Sequence, residues 1–121
     1  MEIIKTKNYE KMSQKAFDVF EKVLNNKPNA VINTTVGASY DGFFEILVDA
    51  INNKKLSIED AIFMNLDEYI AARDAKFTVY SYMYNKFYNL IQSQPKMIEL
   101  LDGSVDDLNA EIKRYKKVLD T

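Results

Sequence analysis

The residues best suited to chemistry in this chain are the adjacent carboxylates Asp67 and Glu68, followed by Tyr69, at the end of the apolar run Ile62-Phe63-Met64-Asn65-Leu66. The sequence contains no histidine and no cysteine. That removes the commonest general base, the commonest metal ligand and all thiolate chemistry. Acid–base work therefore falls to Asp, Glu, Lys or Tyr. A carboxylate at the lip of a pocket, partly desolvated, is a base suited to neutral pH. The same two residues equally suit the cap of a following turn or a face turned to water, and the residues alone leave these readings open.

A second constellation is Thr34-Thr35-Val36-Gly37-Ala38-Ser39-Tyr40-Asp41-Gly42, which combines small residues, hydroxyls and glycines. If it joins a strand to a helix, its backbone N–H groups and the helix N-terminus favour an anion such as a sugar phosphate. It is neither a dinucleotide fingerprint nor a P-loop, because no lysine follows the second glycine. The plainer reading is a tight turn capped by Ser39 or Asp41. The aromatics Phe77, Tyr80, Tyr82, Tyr84, Phe87 and Tyr88 recur at helical spacing with only Lys76 and Lys86 nearby, so they read as packing and not as a base-stacking groove. Asp102, Asp106, Asp107 and Glu111 fail the spacing of a calcium loop and read as the acidic start of a helix. No metal ligand set and no cofactor motif is found.

The elements that must position these groups follow from periodicity. Glu2 to Thr6 reads as a short first strand. Asn8 suits a helix cap, and Tyr9, Met12, Ala16, Phe17, Phe20, Val23 and Leu24 stripe the helix it opens, which ends near Pro28. Ala30 to Val36 reads as a strand, Asp41 to Ile51 as a helix and Ala61 to Leu66 as a third strand. Val79 to Ile91 reads as a helix, Met97 to Leu101 as a fourth strand, and Val105 to Leu119 as a last helix. The order βαβαβαβα predicts an α/β fold, an open, mostly parallel sheet with helices on both faces. All three glycines follow a strand and both prolines follow a helix. Permissive backbone is thus gathered at the carboxyl ends of the strands, where open α/β sheets bind ligands.

Composition bounds the rest. A chain of 121 residues is expected to form a single domain, residues 1–121. A net charge of −2 with both signs interspersed gives no footprint for nucleic acid. No apolar run approaches the ~20 residues that span a bilayer, and the N-terminus lacks the pattern of a signal peptide. The expectation is no membrane partner and a cytoplasmic location.

These residues also carry a family likeness. Phe63-Met64-Asn65-Leu66-Asp67-Glu68-Tyr69 resembles the F-N-L/M-D-E-Y motif of glucosamine-6-phosphate deaminases, also called isomerases. Tyr80-Ser81-Tyr82-Met83 with Phe87-Tyr88 is similar to the family's Y-x-F-M … F-F segment. Leu100-Leu101-Asp102-Gly103 … Asp107 … Ala110-Glu111 … Tyr115 looks like its L-x-G … D-x-x-A-E … Y segment. The likeness runs nearly end to end here and covers about the N-terminal half of a family member.

The resemblance implies aldose–ketose isomerisation of a hexosamine phosphate coupled to loss of ammonia. Asp67 would be the base moving a proton between C2 and C1 of the open-chain sugar, with Gly37, Ala38, Ser39 and Glu68 binding substrate. The family's phosphate loop, T-G-S/G-T-P, aligns with Val36-Gly37-Ala38-Ser39-Tyr40, where valine replaces threonine and tyrosine replaces the turn-shaping proline. Ala75-Lys76 stands where the family has a histidine–proline pair. The family's ring-opening histidine and phosphate-binding lysine belong to a half with no counterpart here. The chain is therefore expected to be catalytically incomplete alone, and to form a homo-oligomer or be completed by a second half. Two other readings remain: a non-catalytic sugar-phosphate or interaction module on the same scaffold, and a 6-phosphogluconolactonase-like hydrolase. If a missing half normally covers the domain, Phe43-Phe44 and Phe77 to Tyr88 are the expected exposed patches.

Overall fold

The computed structural model of the chain describes residues 1–120. Its elements run α1 (Tyr9–Asn26), β1 (Val31–Thr34), α2 (Ala38–Asn52), β2 (Ile62–Asn65), α3 (Val79–Met83) continued by a π-helical turn (Tyr84–Tyr88), β3 (Met97–Glu99) and α4 (Leu108–Asp120). The three strands are parallel and lie in the order β1-β2-β3. The open α/β sheet of the sequence reading is present, with three strands among the described residues where four were expected.

The missing strand is Glu2 to Thr6, which is exposed and pairs with nothing in the sheet. The cause lies in how α1 is anchored. The Tyr9 hydroxyl donates to the Ala38 carbonyl at 2.6 Å and accepts from the Gly42 amide at 2.8 Å, both just past the carboxyl end of β1. Ile4 to Lys7 instead lie beside α1, where they line a groove with Lys11, Gln14, Lys15 and Asp18. The helix itself starts as expected: the Asn8 side chain accepts from the Lys11 amide at 2.9 Å.

Phe63 on β2, fully buried, meets Phe20 of α1 with Phe87 and Tyr88 of the π-helical turn, which gathers α1, α2 and the turn on one face of the sheet. Phe43 and Phe44 of α2 complete this core. This corrects the expected exposed patches. Phe43, Phe44, Phe87 and Tyr88 are all buried, and in the stretch from Phe77 to Tyr88 the large exposed hydrophobic is Phe77. The π-helical turn explains how two consecutive aromatics are both buried. The Asn89 amide reaches back to the Tyr84 carbonyl at 3.0 Å, and the widened turn lets Phe87 and Tyr88 face inward together. The opposite face is served by α4, whose Tyr115 is buried against the end of β2.

Candidate functional site

Both chemically suggestive stretches fall at the carboxyl edge of the sheet, on neighbouring strands. Thr34, the last residue of β1, pairs with Asn65, the last of β2. Asn65 fastens the two strands at this point. Its side-chain amide donates to both the carbonyl and the hydroxyl of Thr34 at 3.0 Å, and it is buried. The Tyr115 hydroxyl donates to the Asn65 carbonyl at 2.5 Å and accepts from its amide at 3.3 Å. Burial raises the Tyr115 phenol above its ordinary pKa, which keeps it a donor.

Beyond Thr34, Gly37 caps α2 with φ 133° and ψ 176°, a conformation that side chains resist. An added Cβ would meet nothing within 4 Å, so the backbone and not the space selects glycine. No side chain caps this helix N-terminus; the Tyr40 amide donates to the Gly37 carbonyl at 3.0 Å, and the amides of Ala38 and Ser39 precede the first intrahelical bond. Ala38 and Ser39 are exposed. Two phenols hold the turn in place: Tyr9 through Ala38 and Gly42, and Tyr82, whose hydroxyl lies 3.0 Å from the Gly37 carbonyl and 2.7 Å from Asp41 Oδ1. Burial first, then the hydrogen bond and charge of Asp41, push the Tyr82 phenol well above its usual pKa. The turn is therefore rigidly framed. The carboxylate of Asp41 in the first turn of α2 nevertheless opposes anion binding there.

Beyond Asn65, Asp67 is exposed and Glu68 is half-buried. Glu68 is committed to the backbone. Its carboxylate accepts from the amides of Tyr69 (2.8 Å), Val79 (2.7 Å) and Tyr80 (2.9 Å), which caps α3 across the intervening loop. With both oxygens engaged, Glu68 serves as the anchor of the loop that presents Asp67, and the turn-cap alternative describes it. Gly103, after β3, backs the same loop. A Cβ there would overlap the Tyr69 carbonyl oxygen, and the Gly103 carbonyl accepts from the Ala71 amide at 3.2 Å.

The two stretches share an edge without sharing a cavity. Asp67 lines a cleft of about 280 Å³ with Glu68, Asp102 and Glu111. Ser39 lines a separate groove of about 480 Å³ between α1, β1 and α2, with Thr34, Tyr40 and Phe43. Arginines answer part of the acid around the cleft, with Arg73 3.0 Å from Asp102 and Arg114 paired to Glu111. The hydrogen bonds and ion pair at Asp102 hold its carboxyl below the usual range. The acidic lining of the Asp67 cleft opposes an anion there. Among the described residues no cluster of His, Cys, Asp or Glu is arranged to hold a metal. No helix among them is long and apolar enough to cross a membrane. Asp107 opens α4 as expected, accepting from the Ala110 amide at 3.0 Å.

Sequence reasoning named Tyr9, Asn65, Tyr82 and Tyr115 only as helix-stripe or motif positions and missed their framing role. Nothing in their local spacing marks them, since each acts across 29 or more residues of chain.

Comparison with known proteins places this geometry. No protein-family model matches the chain. Glucosamine-6-phosphate deaminases do: that of Thermoanaerobacter sp. (strain X514) is 29% identical over 121 residues, covering 99% of this chain and 48% of the relative. Glucosamine-6-phosphate deaminase 1 of Bacillus subtilis (strain 168) is 30% identical over 122 residues, covering 100% and 50%. The solved structure of a monomeric glucosamine-6-phosphate deaminase superposes with a TM-score of 0.91 at 30% identity, covering 99% of this chain and 50% of that one. A 6-phosphogluconolactonase from Thermotoga maritima, 14% identical with a TM-score of 0.79, covers 97% of this chain and 51% of that one and shares the fold. The chain thus spans about half the length of the curated relatives it matches.

Proposed function

We propose that this chain is a deaminase-like domain for a hexosamine phosphate, carrying the proton-transfer base but catalytically incomplete on its own. The observation that supports this most is the end-to-end similarity to glucosamine-6-phosphate deaminases together with the position of Asp67. It stands at the carboxyl edge of β2, beside the strand that leads into the uncapped Gly37 turn. In this reading the amides of Gly37, Ala38 and Ser39 receive the phosphate, and exposed Asp67 takes the proton from C2 of the open-chain sugar and returns it at C1. Glu68 acts by holding that loop on α3. The location in this reading is the cytoplasm, where sugar phosphates are metabolised.

Incompleteness follows from the groups present. With no histidine anywhere in the chain, ring opening lacks its usual catalyst. A missing positioned acid–base group lowers a rate by about 10² to 10⁴. No lysine or arginine lines the groove that contains Ser39, so phosphate affinity rests on backbone amides alone. A second reading, a sugar-phosphate-binding module without turnover, is favoured by Asp41 in the first turn of α2 and by Val36 and Tyr40 flanking the Gly37 turn.

The test is a paired assay on the wild type and Asp67→Asn: fructose 6-phosphate formed from glucosamine 6-phosphate, and a calorimetric titration with the same sugar. The expected result is weak binding in both proteins, with slow wild-type turnover abolished in the variant. Binding with no turnover in either supports the second reading. Robust turnover by the chain alone contradicts the incompleteness, and absence of binding overturns both readings.

A further inference from the structure

The two phenols that frame the Gly37 turn are bonded in different ways. Tyr9 faces a carbonyl and an amide, so its one hydrogen goes to Ala38 and its lone pair receives the Gly42 amide. Tyr82 faces two acceptors, the Gly37 carbonyl at 3.0 Å and Asp41 Oδ1 at 2.7 Å. A single hydroxyl hydrogen serves one of them well, and the charge of Asp41 decides which. An ionised Asp41 is the stronger acceptor and takes the hydrogen, which leaves the Gly37 carbonyl facing a lone pair. A protonated Asp41 donates its own hydrogen to Tyr82 Oη, and the Tyr82 hydrogen turns to Gly37. Two hydrogens then join the three oxygens in a chain. Burial first, then Asp41, push the Tyr82 phenol well up, so Tyr82 keeps its hydrogen in both arrangements.

The acceptors lie where this choice matters. The Gly37 carbonyl belongs to the peptide that carries the Ala38 amide, and the Ala38 carbonyl to the peptide that carries the Ser39 amide. The two phenols therefore grip, from the carbonyl side, the two peptides whose amides precede the first intrahelical bond of α2. A hydrogen bond to a carbonyl polarises its peptide and makes the N–H of that peptide a better donor. Asp41 itself is half-buried in the first turn of α2, where its charge opposes an anion. Around it stand Tyr9 of α1, Glu45 and Asp49 further along α2, and Lys86 of the π-helical turn. No ion pair among the described residues joins Asp41 to Lys86 or to another cation. Tyr82 also stands where the Y-x-F-M segment it resembles has phenylalanine, so the hydroxyl is a feature of this chain.

We infer that Asp41 and Tyr82 form a proton switch on the Gly37 turn, which takes up an anion together with one proton held by Asp41. The inference rests on the reading that this turn receives the phosphate of a sugar phosphate, and it adds how that binding is regulated. The proton comes from water and stays on Asp41, so one carboxylate charge is removed as the anion arrives. Tyr82 neither gains nor loses a proton. Its hydrogen moves from Asp41 to the Gly37 carbonyl and strengthens the Ala38 amide as a donor to the anion. Binding at the turn therefore tightens as pH falls.

The test is an amide and carbonyl chemical-shift titration of the chain with inorganic sulfate, at about pH 5 and about pH 7.5. It is run on the wild type, Asp41→Asn, Tyr82→Phe and Glu45→Gln. Sulfate keeps its two charges throughout this range, and the chain has no histidine to titrate within it. The expected wild-type result is saturable shifts at Gly37 to Ser39, with affinity at least ~3-fold higher at the lower pH. Asp41→Asn should bind with the same affinity at both pH values, at least as tightly as the wild type at the lower one. Glu45→Gln should keep the pH dependence. Tyr82→Phe should keep it too, but lose the change at the Gly37 carbonyl that accompanies binding in the wild type. A pH dependence that survives Asp41→Asn, one that Glu45→Gln removes, or equal wild-type affinity at the two pH values overturns the switch. A Gly37 carbonyl response unaltered by Tyr82→Phe overturns the part given to Tyr82. Absence of sulfate shifts at the turn in all four proteins overturns the anion reading itself, and the switch with it, whereas binding without pH dependence overturns the switch alone.

Discussion

The Gly37–Gly42 turn and the Asp67–Tyr69 loop leave adjacent strands at the same edge, yet they are held by opposite means. The turn is fixed from outside, by the phenols of Tyr9 and Tyr82 reaching in from α1 and α3. The loop is fixed from within, by its own Glu68 gripping the first amides of α3. The difference shows where a motif carries its own architecture. Asp-Glu-Tyr brings the presented carboxylate and its anchor together, so the stretch is recognisable locally. The turn contributes only a glycine of the right conformation and relies on distant residues for its shape.

This comparison can be broken by substitution. Glu68→Ala should have the largest effect, because three hydrogen bonds to its carboxylate vanish together, two of them from the first amides of α3, while the Thr78 cap of that helix remains. A loss of about 2–3 kcal/mol by chemical denaturation is expected, with Glu68→Gln recovering part of it. If Glu68→Ala is neutral, the loop is not anchored from within. Tyr115→Phe should cost about 1–3 kcal/mol by leaving the Asn65 carbonyl and amide buried without their partner. It should also loosen both stretches, because Asn65 fastens β1 to β2. Slowed exchange or unchanged dynamics at Gly37 in that variant would separate the two regions.

Tyr82→Phe and Tyr9→Phe should each cost about 1 kcal/mol, with increased mobility confined to the turn and none at Asp67. Alkaline titration sharpens the same point. The Tyr82 and Tyr88 phenols are pushed well up, chiefly by burial. A folded state that holds these protons more tightly than the unfolded chain is fully stabilised below the unfolded tyrosine pKa of ~10 and loses that stability as pH rises above it. Unfolding should therefore begin above pH ~10, and Tyr82→Phe should make the decline less steep. A stability profile that rises above that pH would contradict the protonated clamp.

The sequence made the helices and the order of paired strands legible because burial imposes a period. The Tyr9-to-Leu24 stripe becomes α1 with Asn8 as its cap, and the three apolar runs that become strands pair in parallel. α2 begins at Ala38, three residues before the expected Asp41, because positive φ at Gly37 sets its start and hydrophobic periodicity carries no record of φ. The π-helical turn was invisible for a similar reason, since it depends on burying Phe87 and Tyr88 together. Glu2 to Thr6 had strand composition, but a strand is a relation between two segments and no sequence pattern reports whether a partner is in reach. At the site, Asp67 and Gly37 were legible from motif and residue type, while the separation of Asp67 and Ser39 into two cavities was not.

The account stands on sugar phosphate being received at the turn with Asp67 beside it. Its most direct test is an amide chemical-shift titration of the chain with glucosamine 6-phosphate, with glucosamine as the control. The predicted result is saturable shifts at Gly37, Ala38 and Ser39 that require the phosphate, accompanied by smaller shifts around Asp67 that Asp67→Asn alters. Shifts that spare the turn, or that glucosamine reproduces equally, would contradict it.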